Sequence, residues 1–105
     1  MTIKRKKSDA SHFLAKLVGE LTLASLLLAI RQGEAMTQVE FSKMLKVSKQ
    51  YLCDVERGRR MISPKAAAGF AKRLGYSPEH FIRLCLQDMI NRDGLKFVID
   101  VKKAA

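Results

Sequence analysis

From residue 22 onward the chain repeats one grammar: a small polar residue, apolar positions three and four apart, then a break. Thr22 precedes Leu23, Leu26, Leu27 and Ile30, whose spacing marks the buried stripe of a helix that Gly33 is expected to end. Thr37-Gln38-Val39-Glu40 has the form of a capping box. Val39, Phe41, Met44 and Leu45 supply the apolar side chains of the short helix it opens. After Lys46-Val47, Ser48 can cap a further helix that buries Leu52 and Val55 and stops at Gly58, a residue suited to the left-handed conformation. Ser63-Pro64 and Ser77-Pro78 are two starts of one kind, a capping serine with proline at the first helical position. Ala67, Phe70, Ala71 and Leu74 form the inner face of the first, which ends at Gly75. Phe81, Leu84, Cys85, Asp88 and Met89 lie along the second, which ends near Gly94. Upstream, Ser11–Val18 predicts a short helix closed by Gly19.

The period changes at the end of the chain. In Leu95–Lys102 the odd positions are all apolar, and Lys96, Asp100 and Lys102 occupy even ones, which predicts a half-buried strand. A lone strand leaves backbone N–H and C=O groups without partners. Three pairings are open: residues 2–4 of the same chain, the same strand of a second protomer, or an edge of another protein. The second and third are preferred, which makes Leu95, Phe97, Ile99 and Val101 a dimer or partner-protein contact. The expected organisation is a basic tail (1–10), a helical domain (11–94) with the two-helix unit at 37–58, and a strand with its tail (95–105).

With 105 residues, the chain fits a single domain with one modest core, and 48% hydrophobic residues can fill that core without disulfides or metal. The net charge of +10 points to a polyanionic partner but does not choose among nucleic acid, anionic membrane and acidic protein. Its distribution helps: residues 37–75 hold nine basic side chains against three acidic ones, and residues 1–8 hold four with no acidic one, so the excess lies in the tail and the middle of the chain. The apolar run Leu21–Ile30 is half the length of a membrane span and ends at Arg31; it reads as a core helix. Cys53 and Cys85 sit in helical patterns far from each other, which favours free thiols and a reducing compartment. His12 and His80 are isolated, and no Ser/His/Asp set, paired carboxylates or phosphate-cradling glycine loop stands out. Neither enzymatic activity nor a metal or cofactor is expected.

Two short helices joined by a tight turn, Thr37–Leu45 and Ser48–Arg57, make the unit whose second helix can lie in the DNA major groove. Thr37-Gln38, Glu40-Phe41-Ser42, Leu45, Val47-Ser48, Leu52 and Val55-Glu56-Arg57-Gly58 together resemble the Cro/repressor (xenobiotic-response-element) helix-turn-helix family. The resemblance spans residues 22–86. It implies an all-α, five-helix, lambda repressor-like DNA-binding domain, to which the pattern at 95–101 would add a short C-terminal β-strand. It also implies a transcriptional repressor that reads double-stranded operator DNA as a homodimer, in the bacterial cytoplasm at the nucleoid and away from membrane.

The same resemblance assigns roles. Thr37, Gln38 and Ser48 stand at the openings of the two helices as DNA-contacting positions, and Gln38 would touch phosphate and brace the recognition helix. Lys49, Gln50 and Tyr51 look like the base-reading edge, since glutamine pairs bidentately with adenine and lysine donates to guanine. Packing of Tyr51 on a neighbouring helix is the alternative for that residue. Asp54 departs from what phosphates attract, and is left to accept from a cytosine amino group, cap a neighbour or point away. Arg59 and Arg60 would track the DNA backbone, and Arg31 with Glu56 would form a buried salt bridge between the first helix and the recognition helix. Within the family, Leu52-Cys53-Asp54-Val55-Glu56-Arg57-Gly58-Arg59 and the Ser-Pro start at 63 are similar to HigA-like antitoxins. That similarity implies a ribonuclease toxin as partner and repression of the protein's own operon; the alternative is a stand-alone phage- or host-type repressor.

Overall fold

The computed structural model describes residues 21–105, which hold five helices. They are α1 (Leu23–Gly33), α2 (Gln38–Leu45), α3 (Lys49–Glu56), α4 (Pro64–Leu74) and α5 (Pro78–Arg92). The basic tail and the helix expected over Ser11–Val18 lie outside the described residues.

Side-chain caps start four of the helices. Thr22 accepts from the Ser25 amide at 3.0 Å while Ser25 Oγ takes the Thr22 amide, so α1 opens on a capping box made with serine. At α2, the Glu40 amide donates to Thr37 Oγ1 at 3.1 Å and the Thr37 amide to Glu40 Oε1 at 2.8 Å. The bonds from Thr37 hold the Glu40 carboxyl below its ordinary value. Ser48 and Ser63 accept from the amides of Tyr51 and Ala66 at 3.0 and 3.1 Å. Ser77 differs from expectation: it occupies the cap position, but its side chain makes no capping bond, and the start of α5 rests on Pro78, whose ring fixes a helical φ.

The end of α1 also differs. Gly33 remains helical, and the chain reverses two residues later at Ala35, with φ 54°. There Met36 N–H reaches Arg31 O and Ala35 N–H reaches Gln32 O, both at 3.0 Å. The reversal brings the Met36 carbonyl to within 3.0 Å of Arg31 Nη1, a bond that stopping at Gly33 would not form. Glycine and alanine thus stand in each other's preferred places. Gly33 has open space where a Cβ would go, so Gly33→Ala is expected to stabilise by about 0.5–1 kcal/mol. Ala35→Gly, which removes a left-handed alanine, is expected to stabilise by up to about 1 kcal/mol. Thermal melts of the two variants and their combination check both, and a lowered Tm for either contradicts this account of the turn.

All five helices contribute to one core. Leu23 and Leu27 from α1 meet Phe41 and Leu45 from α2, Leu52 and Val55 from α3, Ala67, Phe70 and Ala71 from α4, and Phe81, Leu84 and Cys85 from α5. The apolar run Leu21–Ile30 is therefore spent on α1, and no helix among the described residues is long and apolar enough to cross a membrane. In α2 the buried stripe is Phe41, Ser42 and Leu45, whereas Val39 and Met44 are each 44% exposed; the eight-residue helix turns only one narrow face inward. Ser42 fits among apolar neighbours because its hydroxyl donates to the Val39 carbonyl at 2.8 Å. Cys53 and Cys85 are free thiols, and Cys85 Sγ donates to the Ile62 carbonyl at 3.0 Å. Asp88, half-buried on α5, accepts from the Leu23 amide at 3.0 Å and so satisfies one of the open N–H groups at the start of α1. Burial pushes its carboxyl up, with the Leu23 bond and Arg92 pulling the other way.

The C-terminal strand is not present. Residues 95–105 form no strand, and there is none anywhere among the described residues. Alternation of apolar and charged residues governs which way side chains face, but a strand also requires a neighbour, and here a side chain stands in for one. Gln87 Nε2 donates to the Phe97 carbonyl at 2.7 Å, and the Ile99 amide donates to Gln87 Oε1 at 2.8 Å. Ile99 and Val101 are half-buried, whereas Leu95, Phe97 and Val98 are exposed, Val98 to 90%. Pairing with residues 2–4 lies outside the described residues.

Candidate nucleic-acid interface

α2 and α3 are joined by a turn through Lys46, whose φ of 59° is left-handed, and the Val47 amide closes it onto the Ser42 carbonyl at 2.9 Å. No glycine marks this reversal in the sequence. At the far end of α3, Gly58 takes the left-handed position, with Arg59 N–H on Asp54 O at 2.8 Å and Gly58 N–H on Val55 O at 3.0 Å. With Leu52 and Val55 completely buried, the opposite side of α3 faces outward.

The sequence-predicted residues separate into groups. Lys49 and Gln50 are exposed on the first turn of α3. Thr37 and Ser48 stand at the helix starts with their hydroxyls engaged as caps. Tyr51 is half-buried, edge-on to Phe70 with ring centroids 6.2 Å apart, and the Arg60 guanidinium lies 4.6 Å above its ring. Burial pushes the Tyr51 hydroxyl up, with the charge of Arg60 acting against it. The ring thus ties Arg60, in the loop after α3, to the core. Asp54 is half-exposed, and its Oδ1 accepts from Gln50 Nε2 at 2.9 Å. Leu95 and Phe97 are exposed at the other end of the chain, while Ile99 and Val101 turn partly inward.

Arg31 and Glu56 come together across 25 residues of sequence. Arg31 Nε and Nη2 grip the two carboxylate oxygens at 2.7 and 3.1 Å, and the side chains are 17% and 6% exposed. Gln38 Nε2 donates to Glu56 Oε1 at 2.9 Å, and Arg31 Nη1 to the Met36 carbonyl at 3.0 Å. One carboxylate at the last residue of α3 therefore collects α1, the following turn and α2. Sequence reasoning reached the ion pair and a bracing role for Gln38; the link that joins Gln38 to Glu56 has no signal in spacing alone.

This bracing also shapes the electrostatics. Glu56 is neutralised by Arg31, and the Asp54 carboxylate is engaged by Gln50. On α2, on α3 and in the loops at either end of α3, Lys43, Lys46, Lys49, Arg57, Arg59 and Arg60 are all exposed. The starts of α2 and α3 add partial positive charge from their helix dipoles. A polyanion meets a cationic surface with polar, hydrogen-bonding side chains at its centre, which is the combination that duplex DNA requires.

A short helix braced at its end, with lysine and glutamine presented at its start and arginines in the loop beyond, defines a DNA-binding transcriptional regulator on a five-helix, Cro/repressor-like fold. The chain belongs to the Helix-turn-helix family, whose profile matches residues 27–81, from α1 to the first turn of α5. Comparison with curated proteins and with solved structures found no match.

Proposed function

We propose that this protein is a sequence-specific repressor that binds operator DNA as a homodimer at the nucleoid. We further propose that it is the antitoxin of a type II toxin–antitoxin pair, repressing its own operon and binding a ribonuclease toxin, with no catalytic activity of its own. The observation that carries the repressor reading is the exposure of Lys49 and Gln50 on a helix held by the Arg31–Glu56–Gln38 network. Pre-set geometry of this kind lets base contacts form without first ordering the helix. The exposed Leu95, Phe97 and Val98 support a partner surface, since large apolar side chains left in water gain from being covered. The antitoxin part rests on the similarity of residues 52–59 to HigA-like proteins.

Two experiments test the reading. The full chain is expected to shift duplex DNA from upstream of its own coding region in preference to shuffled sequence. Co-expressed with the product of the neighbouring gene, it is expected to retain that product through affinity purification. Loss of preference for the upstream DNA contradicts the repressor; failure to retain the neighbour contradicts the antitoxin and leaves the repressor standing.

A further inference from the structure

A carboxylate on the outward side of α3 is out of keeping with a polyanionic ligand. Phosphates repel it, and among base edges in the major groove it suits only the amino groups of adenine and cytosine. Asp54 is nevertheless half-exposed there, and its Oδ1 accepts from Gln50 Nε2 at 2.9 Å. That bond has a consequence for Gln50. A glutamine amide can be presented either way round, with two donors on one side and an acceptor on the other. A carboxylate can only accept, so the Gln50 NH2 must turn towards Asp54 and its carbonyl oxygen away. What remains free is the Oε1 acceptor and one N–H donor. Adenine presents the matching pair, an N6 amino donor and the N7 acceptor, whereas guanine presents two acceptors, O6 and N7.

We propose that Asp54 is a positioning residue that fixes the Gln50 amide in the adenine-reading orientation and thereby sets adenine over guanine at one operator base pair. The inference rests on the reading of α3 as the recognition helix. The Gln50–Asp54 bond spans i to i+4 and also steadies a two-turn helix; that structural role leaves base preference unmoved, which is what the test exploits. In Asp54→Asn the new amide can receive Gln50 either way round. The flipped form turns both Gln50 N–H groups outward, towards the two acceptors of guanine. The same change removes a negative charge facing phosphate, so affinity should rise while selectivity falls.

The test is selection of the full chain on a duplex library with a randomised half-site, read by sequencing, for wild type, Gln50→Ala, Asp54→Asn, Asp54→Ala and Asp54→Glu, each checked by a thermal melt. Wild type is expected to favour adenine over guanine by about tenfold at the one position that Gln50→Ala erases. Asp54→Asn is expected to bring the two bases to within about twofold there, with all other positions unchanged, and Asp54→Glu to restore the preference. Asp54→Ala guards against an asparagine variant that fails to fold, and it too is expected to lose the adenine preference at that position alone. Retention of the adenine preference in both Asp54→Asn and Asp54→Ala, or its loss at many positions together, overturns the inference and leaves the recognition helix intact. A wild-type motif that Gln50→Ala leaves unchanged, or no motif at all, overturns both.

Discussion

Removing either partner of the Arg31–Glu56 pair is expected to cost about 3–5 kcal/mol of folding stability, because it strands the other charge where little water reaches. At 17% and 6% exposure, these side chains lie well below the surface regime in which an ion pair contributes little. Each removal also costs a neighbour its bond: losing Glu56 takes the acceptor from Gln38 while Arg31 keeps the Met36 carbonyl, and losing Arg31 takes the donor from the Met36 carbonyl while Glu56 keeps Gln38. Replacing both partners with methionine or leucine is expected to recover much of the loss, since an apolar pair needs no desolvated charge. Recovery should stop short of completeness because Gln38 and the Met36 carbonyl lose their partners in the double variant. Gln38→Ala is the calibration, at about 1.5–3 kcal/mol for one hydrogen bond to a charged group. Denaturant unfolding of the four variants measures these values, and single-variant losses below about 1 kcal/mol contradict a buried clamp.

If residues 95–101 form the contact of the proposed homodimer, cutting the chain after Asn91 is expected to leave the helical domain folded but monomeric, with operator affinity reduced by about a hundredfold or more. The fold should survive because every residue of the buried core lies between Leu23 and Cys85. What the cut removes is the segment held by Gln87, together with the exposed Leu95, Phe97 and Val98. A dimer reads two half-sites about one helical turn apart, and its second contact forms at high effective concentration. A monomer lacks that gain. Light scattering reports the oligomeric state, and a pull-down on the same protein reports binding of the proposed toxin. A cut that spares the dimer and abolishes the toxin complex assigns the segment to the toxin. Survival of both means that the segment serves only its own chain through Gln87.

How much of this was legible in the sequence depended on the range of the interaction. Caps and hydrophobic stripes are local, and Thr22, Thr37, Ser48 and Ser63 announced their helices from their immediate neighbours. Ser77 has the same signature as Ser63 without the bond, because proline alone suffices to start a helix. Glycine misled at Gly33: the choice between stopping there and reversing at Ala35 depends on the Met36 carbonyl reaching Arg31, a contact that only the folded turn contains. Lys46 misled in the opposite way, since it adopts a left-handed conformation that no glycine advertises. The Arg31–Glu56 pair and a bracing role for Gln38 could be anticipated from resemblance to a family whose spacing is fixed, but the bond that joins Gln38 to Glu56 could not. Residues 95–101 carry a sound strand pattern, yet pairing is a property of two segments, and Gln87 on α5 supplied the partner groups from a side chain. The candidate site was legible wherever it coincided with helix starts, at Lys49 and Gln50, and was hidden where two side chains met without a family pattern to announce them, at Tyr51 with Arg60 and at Gln50 with Asp54.

The central claim, that the start of α3 reads bases while the loop beyond it holds the DNA backbone, meets its most direct test in a mobility-shift series. The duplexes are the operator and its single-base-pair variants, each titrated at several salt concentrations. Lys49→Ala and Gln50→Ala are expected to cost about 1–3 kcal/mol, each at one base pair, and to relax the preference there. Arg59→Ala and Arg60→Ala are expected to weaken binding to every duplex alike and to flatten the salt slope by about 1 for each phosphate contact removed. Operator preference left unchanged by the Lys49 and Gln50 variants would contradict the account.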